Sequence, residues 1–250
     1  MRLAPITGIV GSPLDFSASE DYTSTTSGYT GISPGTIIEA APTDGIDTGT
    51  NVPNWIASEL MYVVNTSSST FAPGRLVHID KNGAILDMPN TANTGRPVYV
   101  CLTNFSAGNT TTQGGWVLRR GIAPVSYSAT ATAGAMYFAA AGQATPTLTA
   151  GKNILNASCL IAAASAFTRT CTTKAGSNQL FVGRAQGIFY GQTPSGTGIA
   201  ASTITGISPD GQYVTMSANA TASGTVTVTF TPTGFGICHL DNAFVQGNIT

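Results

Sequence analysis

From Glu59 onward the apolar residues of this chain come in short runs separated by turn chemistry, and no stretch of ten or more residues carries a convincing helical stripe. That pattern confines the chain to an all-β fold. Strands are predicted over 60–64, 75–80, 84–88, 98–103, 116–120, 135–139, 160–164, 180–184, 202–207, 213–217 and 225–230. Lys81-Asn82-Gly83 joins the second and third as a hairpin, because Asn-Gly readily takes the positive φ that tight hairpin turns demand. Ser208-Pro209-Asp210-Gly211 reads as a second hairpin turn. In Thr225-Val226-Thr227-Val228-Thr229-Phe230 the alternation is strict, so one face is buried and the other is solvated or free for contact. An Ala-rich segment near 156–166 is the one weak helical signal.

Residues 1–58 differ from the rest. They show neither helical periodicity nor sustained alternation and are dense in Gly, Pro, Ser and Thr. Such a segment cannot build a core alone. It reads as an extended arm ordered by lying on something else, with Trp55 and Ile56 as the anchor where it joins the body; a loose tail is the plainer alternative.

Charge is scarce, at 8% Asp, Glu, Lys and Arg, against roughly 25% in ordinary soluble domains. Residues 1–60 hold seven acids and one base, Arg2, whereas nine bases and four acids follow. An acidic arm therefore precedes a mildly basic body. No carboxylate lies between Asp87 and Asp210, which excludes paired-carboxylate acid/base chemistry from the middle of the chain. A chain with so few ionisable groups has few ways to build a catalytic site, so a structural or binding role leads, with no enzyme activity and no cofactor expected.

Cys101, Cys159, Cys171 and Cys238 lack Cys-x-x-Cys spacing, and the only histidines are His78 and His239. Buried free thiols are expected. The neighbours Cys238 and His239 point to opposite faces of a strand and do not make a joint metal site. Met1–Thr7 is interrupted by Pro5 and followed by Gly8, and it predicts no secretory leader. No apolar run approaches the roughly 20 residues of a membrane span, so no membrane partner is expected.

Two motif matches dissolve on inspection. Gly31-Ile32-Ser33-Pro34-Gly35 has the spacing of a nucleophile elbow, but Pro34 lacks the N–H that would serve as oxyanion donor, and no strand-to-helix context surrounds it. Gly196-Thr197-Gly198-Ile199-Ala200-Ala201 resembles a dinucleotide fingerprint, yet β-branched and hydroxyl residues follow where a helix should begin. Arg119-Arg120, after Trp116-Val117-Leu118, is the densest basic spot. With a net charge of −1 and no wider cluster of bases, it reads as a solvated strand end or a protein contact to the acidic arm of a neighbouring subunit, not as a nucleic-acid footprint. The candidate interface thus comprises Trp55, Ile56, Trp116, Arg119 and Arg120, with Glu20 and Asp21 of the arm.

Across 60–190, Phe71-Ala72-Pro73-Gly74-Arg75-Leu76-Val77, Gly95-Arg96-Pro97-Val98-Tyr99-Val100, Gly114-Gly115-Trp116-Val117-Leu118-Arg119-Arg120-Gly121, Ala133-Gly134-Ala135-Met136-Tyr137 and Val182-Gly183-Arg184-Ala185 resemble the small head-decoration, or cement, proteins of tailed bacteriophages. Residues 175–230 resemble a Thr/Gly-rich β-module found in many phage virion proteins, through Gly176-Ser177-Asn178-Gln179-Leu180, Thr203-Ile204-Thr205-Gly206-Ile207 and the 218–228 run. The resemblance implies many copies on the outer capsid face, as homotrimers clamping neighbouring major capsid proteins, made in the host cytoplasm. It divides the chain into an arm (1–58), a small β-barrel or sandwich body (59–174), the added β-module (175–231) and a C-terminal segment returning to the body (232–250). A receptor-binding or adhesin component of a head or tail fibre is the alternative, and a hydrolase built on His78 or His239 a distant third.

Overall fold

The turn-punctuated runs do form strands. The computed structural model describes residues 2–5, 14–15, 20–21, 33–44, 58–108, 112–139, 142–162, 166–185, 187–208 and 212–247, and among them there is no α-helix. The N-terminal segment supplies β1 (Arg2–Pro5), β2 (Leu14–Asp15), β3 (Glu20–Asp21) and β4 (Ile37–Asp44). Next come β5 (Ser58–Asn65), β6 (Leu76–Ile79), β7 (Ile85–Asp87), β8 (Tyr99–Cys101), β9 (Gln113–Ser126), β10 (Gly134–Phe138), β11 (Ala144–Thr145) and β12 (Asn153–Ile161). β13 (Phe167–Thr173), β14 (Gln179–Phe181), β15 (Thr193–Ser195), β16 (Ile204–Ile207), β17 (Tyr213–Met216) and β18 (Gly224–Thr231) follow, and β19 (Phe235–Val245) closes the described chain.

The first sheet curls into a half-barrel around β9. β5 lines one edge of β9; on the other, β8 pairs at Val117 and Leu118, and β19 takes over from Arg120 to Ser126. The sheet then extends through β12, β10 and β11 on one side and through β4, β1 and β2 on the other. Both faces of the central strands are covered. Leu60, Tyr62, Trp116, Leu118, Val125 and Leu240 belong to one core cluster, with the Tyr62 and Trp116 rings edge to face at 5.2 Å. Val63, Val117, Phe71, Cys101 and Phe105 form a second cluster behind them. This is why 60–64 reads as an unbroken apolar run instead of an alternating one.

The second sheet has the order β15-β18-β13-β14-β17-β16 and is antiparallel throughout. Its inner face carries Cys171, Leu180, Val214, Val228 and Phe230, covered by Val182 and Ile188 from the following loop. The whole sheet is inserted between β12 and β19, which are themselves hydrogen-bonded neighbours. A small cluster of Ile122, Phe189 and Ile237 joins the inserted sheet to the first, with Phe189 edge to face against Phe235 at 5.3 Å.

Several elements depart from the sequence expectation. The 156–166 segment is not helical where described; 153–161 is strand β12, whose pattern is broken by two register shifts and by Asn156 at φ +57°. β13, expected within the body, pairs with β18 and β14 in the second sheet, so that sheet begins at 167 and not at 175. Its alternation was masked because Arg169 stands on the inward side, half-buried, with its guanidinium 5.8 Å from the centre of the Phe167 ring. Within 1–58, residues 37–40 are not free of the body: they pair with 58–61 of β5 in the same chain.

Candidate functional site

Arg119 and Arg120 sit in the middle of β9, not at a strand end. Leu118 faces Leu60 and Arg120 faces Glu59, so two steps on β9 match one on β5, and Arg119 is the extra residue of a β-bulge. The bulge flips the phase of the strand. Before it, Trp116 and Leu118 face the main core; after it, Ala123 and Val125 do. It also turns both guanidiniums onto one carboxylate: Arg119 Nη1 donates to Glu59 Oε2 at 3.1 Å, and Arg120 Nη1 to Glu59 Oε1 at 3.4 Å. Arg120 Nε reaches Asp241 Oδ1 on β19 at 3.4 Å. Glu39, directly opposite Glu59 on β4, completes a row running acid, acid, base, acid across four strands. Two positive charges on Glu59 offset the like-charged neighbour.

The other predicted interface residues are dispersed. Trp116 is a core residue, 3% exposed, whose backbone N–H donates to Thr103 Oγ1 at 2.8 Å. As a contact for a partner it is corrected: its indole is occupied within the fold. Glu20 and Asp21 pair by backbone with Gly114 and Gln113 of β9. The register sets them five or more residues from Arg119 of the same chain, about 17 Å by strand rise. Trp55 and Ile56 lie outside the described residues. A residue that sequence reasoning passed over, Ile38 of β4, is buried in the main core opposite Leu60.

All four cysteines are free and buried. Cys159 and Cys238 face each other across β12 and β19, with Tyr127 Oη 3.6 Å from the Cys238 sulfur. A hydrogen bond from the Cys238 thiol draws the Cys159 thiol down to about 7 against the effect of burial, and burial pushes Cys238 well up. His239, the next residue, points away from this pair and is half-buried. Among the described residues no cluster of three or more His, Cys, Asp or Glu could hold a metal ion.

Residues 33–35 of the first motif match and the whole of the second lie in turns and loops; Gly31 and Ile32 are outside the described residues. Thr36 N–H donates to Ser33 O at 3.1 Å in the turn entering β4, and Ile199 N–H donates to Gly196 O at 3.1 Å in the loop from β15 to β16. Neither leads into a helix.

The outer face of the second sheet is a uniform, threonine-rich surface. Thr168, Thr170 and Thr172 of β13 stand directly beside Thr229, Thr227 and Thr225 of β18. Thr172 continues into Phe181 of β14 and Tyr213 of β17, whose rings meet edge to face at 5.1 Å while 37% and 40% exposed. Beside them Gln179 Nε2 donates to Thr215 Oγ1 at 3.0 Å. No outward position on these four strands holds a charged side chain.

The fold and this surface define a two-sheet all-β protein with one sheet inserted into the other. Compared with known proteins, the chain matches no family model, no curated protein and no solved structure.

Proposed function

We propose that this protein is a structural component of a virion that binds the outer face of a phage capsid and cements adjacent major capsid proteins, as a trimer. The observation that carries the reading is the use of the N-terminal segment as added strand: β4 lies on the edge of β5, β1 on β4 and β2 on β1, joined by backbone pairing. Backbone strand addition is a general way for an arm to clamp a neighbouring sheet edge, because it asks little of side-chain chemistry. Such an arm on a many-copy shell multiplies weak contacts into firm attachment. A body low in charge, with its ionic row satisfied internally, fits a scaffold better than a reaction centre.

The test is quantitative mass spectrometry of purified virions against the major capsid protein. A high copy number in simple ratio to the capsid protein is the expected result. A handful of copies per particle would move the protein to a fibre or spike, and its absence would end the virion reading.

A further inference from the structure

We propose that the outer face of the second sheet is a binding site for neutral polysaccharide, centred on Phe181 and Tyr213. Three properties of the face point to that ligand. First, it is uncharged along β18, β13, β14 and β17, so neither an acidic nor a basic partner finds electrostatic complement there. Second, it is periodic. Paired threonines recur on neighbouring strands in three successive rows, with spacings of about 4.8 Å across the strands and about 6.6 Å along them. A repeating lattice of groups that both donate and accept hydrogen bonds suits a polymer that repeats its own hydroxyls. Third, it holds an exposed aromatic pair at one end of a threonine row, and aromatic faces take the C–H faces of pyranose rings.

A protein partner fits this face less well. Interface cores are enriched in aromatics, Met and Arg, whereas threonine is under-represented among residues that carry binding energy. Here hydroxyls dominate and the aromatics number two. The face is also pre-organised. Threonine is stiff at χ1 on a strand, and the inner face is clamped by Leu180, Val214, Val228 and Phe230, so little order has to be created on binding.

The experiment is native affinity electrophoresis of the full-length protein in gels with and without dextran, laminarin or hydroxyethylcellulose. Retardation by at least one polysaccharide is expected, and it is lost in Phe181→Ala and in Thr170→Glu, the second placing a charge in the threonine rows without touching the aromatics. Far-ultraviolet circular dichroism of both variants must match the parent. No retardation in any of the three gels overturns the proposal, as does retardation that survives both substitutions. Sedimentation velocity supplies a further arm: an oligomer that Thr170→Glu dissociates would mean that a second copy covers this face, which also overturns it. None of these outcomes bears on the copy number in virions, so the inference and the capsid reading fail separately.

Discussion

Glu59 stands directly opposite Arg120 across β5 and β9, one residue beyond the bulge that brings Arg119 to the same carboxylate. Glu59 is the better shielded partner, its side chain 18% exposed against 48% for Arg120. Exposed pairs contribute about 0.2–1 kcal/mol each. The geometry here, two guanidiniums sharing one half-buried acid, predicts the upper part of that range. In a double-mutant cycle, Arg120→Ala destabilises the protein by about 1 kcal/mol, and by less than half as much in a Glu59→Gln background. Urea unfolding of the four proteins checks this, and additive effects would show that the row contributes no coupling.

The register of β4 makes a sharper prediction. Ile38 is buried and Ile37 is 44% exposed, although they are adjacent. Ile38→Ala should cost about 2–4 kcal/mol through lost burial and an unfilled cavity, and Ile37→Ala less than about 0.5 kcal/mol. A register slipped by one residue exchanges the two faces and reverses the order. Paired melting curves distinguish these cases.

His78 sets a pH dependence. It is 2% exposed, and its Nδ1 lies 2.6 Å from Pro97 O, which assigns the proton to Nδ1 and leaves Nε2 buried without a hydrogen-bond partner. Burial holds its pKa below the ordinary histidine value, and the Arg96 charge adds to that effect. The unfolded chain therefore binds this proton first as pH falls. The contribution of His78 to stability is complete above about pH 6.5 and is lost as pH drops through that value toward the folded pKa. Thermal melting between about pH 7 and pH 5 should fall more steeply for the parent than for His78→Gln. Equal slopes would remove His78 from the account.

Gly115 marks a place where the core leaves no room for a methyl group. A Cβ there would lie 2.6 Å from Thr103 Cγ2 and 2.7 Å from Phe105 Cζ. Thr103 and Phe105 are both essentially inaccessible, and Thr103 Oγ1 already accepts from Trp116 N–H, so neither can yield freely. Gly115→Ala should destabilise by about 1–3 kcal/mol. Gly176→Ala is the control for backbone effects, since its φ is +78° and a Cβ there meets open space. Calorimetric melting of both variants separates overpacking from strain.

Alternation and turn chemistry made most of the β-fold legible. The Asn82-Gly83 hairpin and the Val/Thr run of β18 were readable because each face had a consistent environment. Legibility failed where that consistency broke. The bulge at Arg119 inverts the phase of β9, so a strand of 14 residues read as one ending at Arg120. Two register shifts hid β12, and an inward Arg169 over an aromatic ring hid β13. The threonine face was only half visible, because the Thr225–Thr229 rows acquire their meaning from Thr168, Thr170 and Thr172, which pair with them across the sheet. The pairing of Arg119 and Arg120 with Glu59 escapes sequence reading for a similar reason. A row of three acids and one base across four strands is a property of register, and no local window contains it.

Cys159 and Cys238 are cross-strand neighbours, although the entire second sheet lies between them in the chain. The chain thus leaves the first sheet and rejoins it at adjacent positions, as a hairpin whose turn has been replaced by a folded unit. A turn of that kind can be exchanged, lengthened or lost while the strands on either side keep their partners. Change within the inserted sheet therefore leaves the pairing of β12 with β19, and with it the closure of the first sheet, intact.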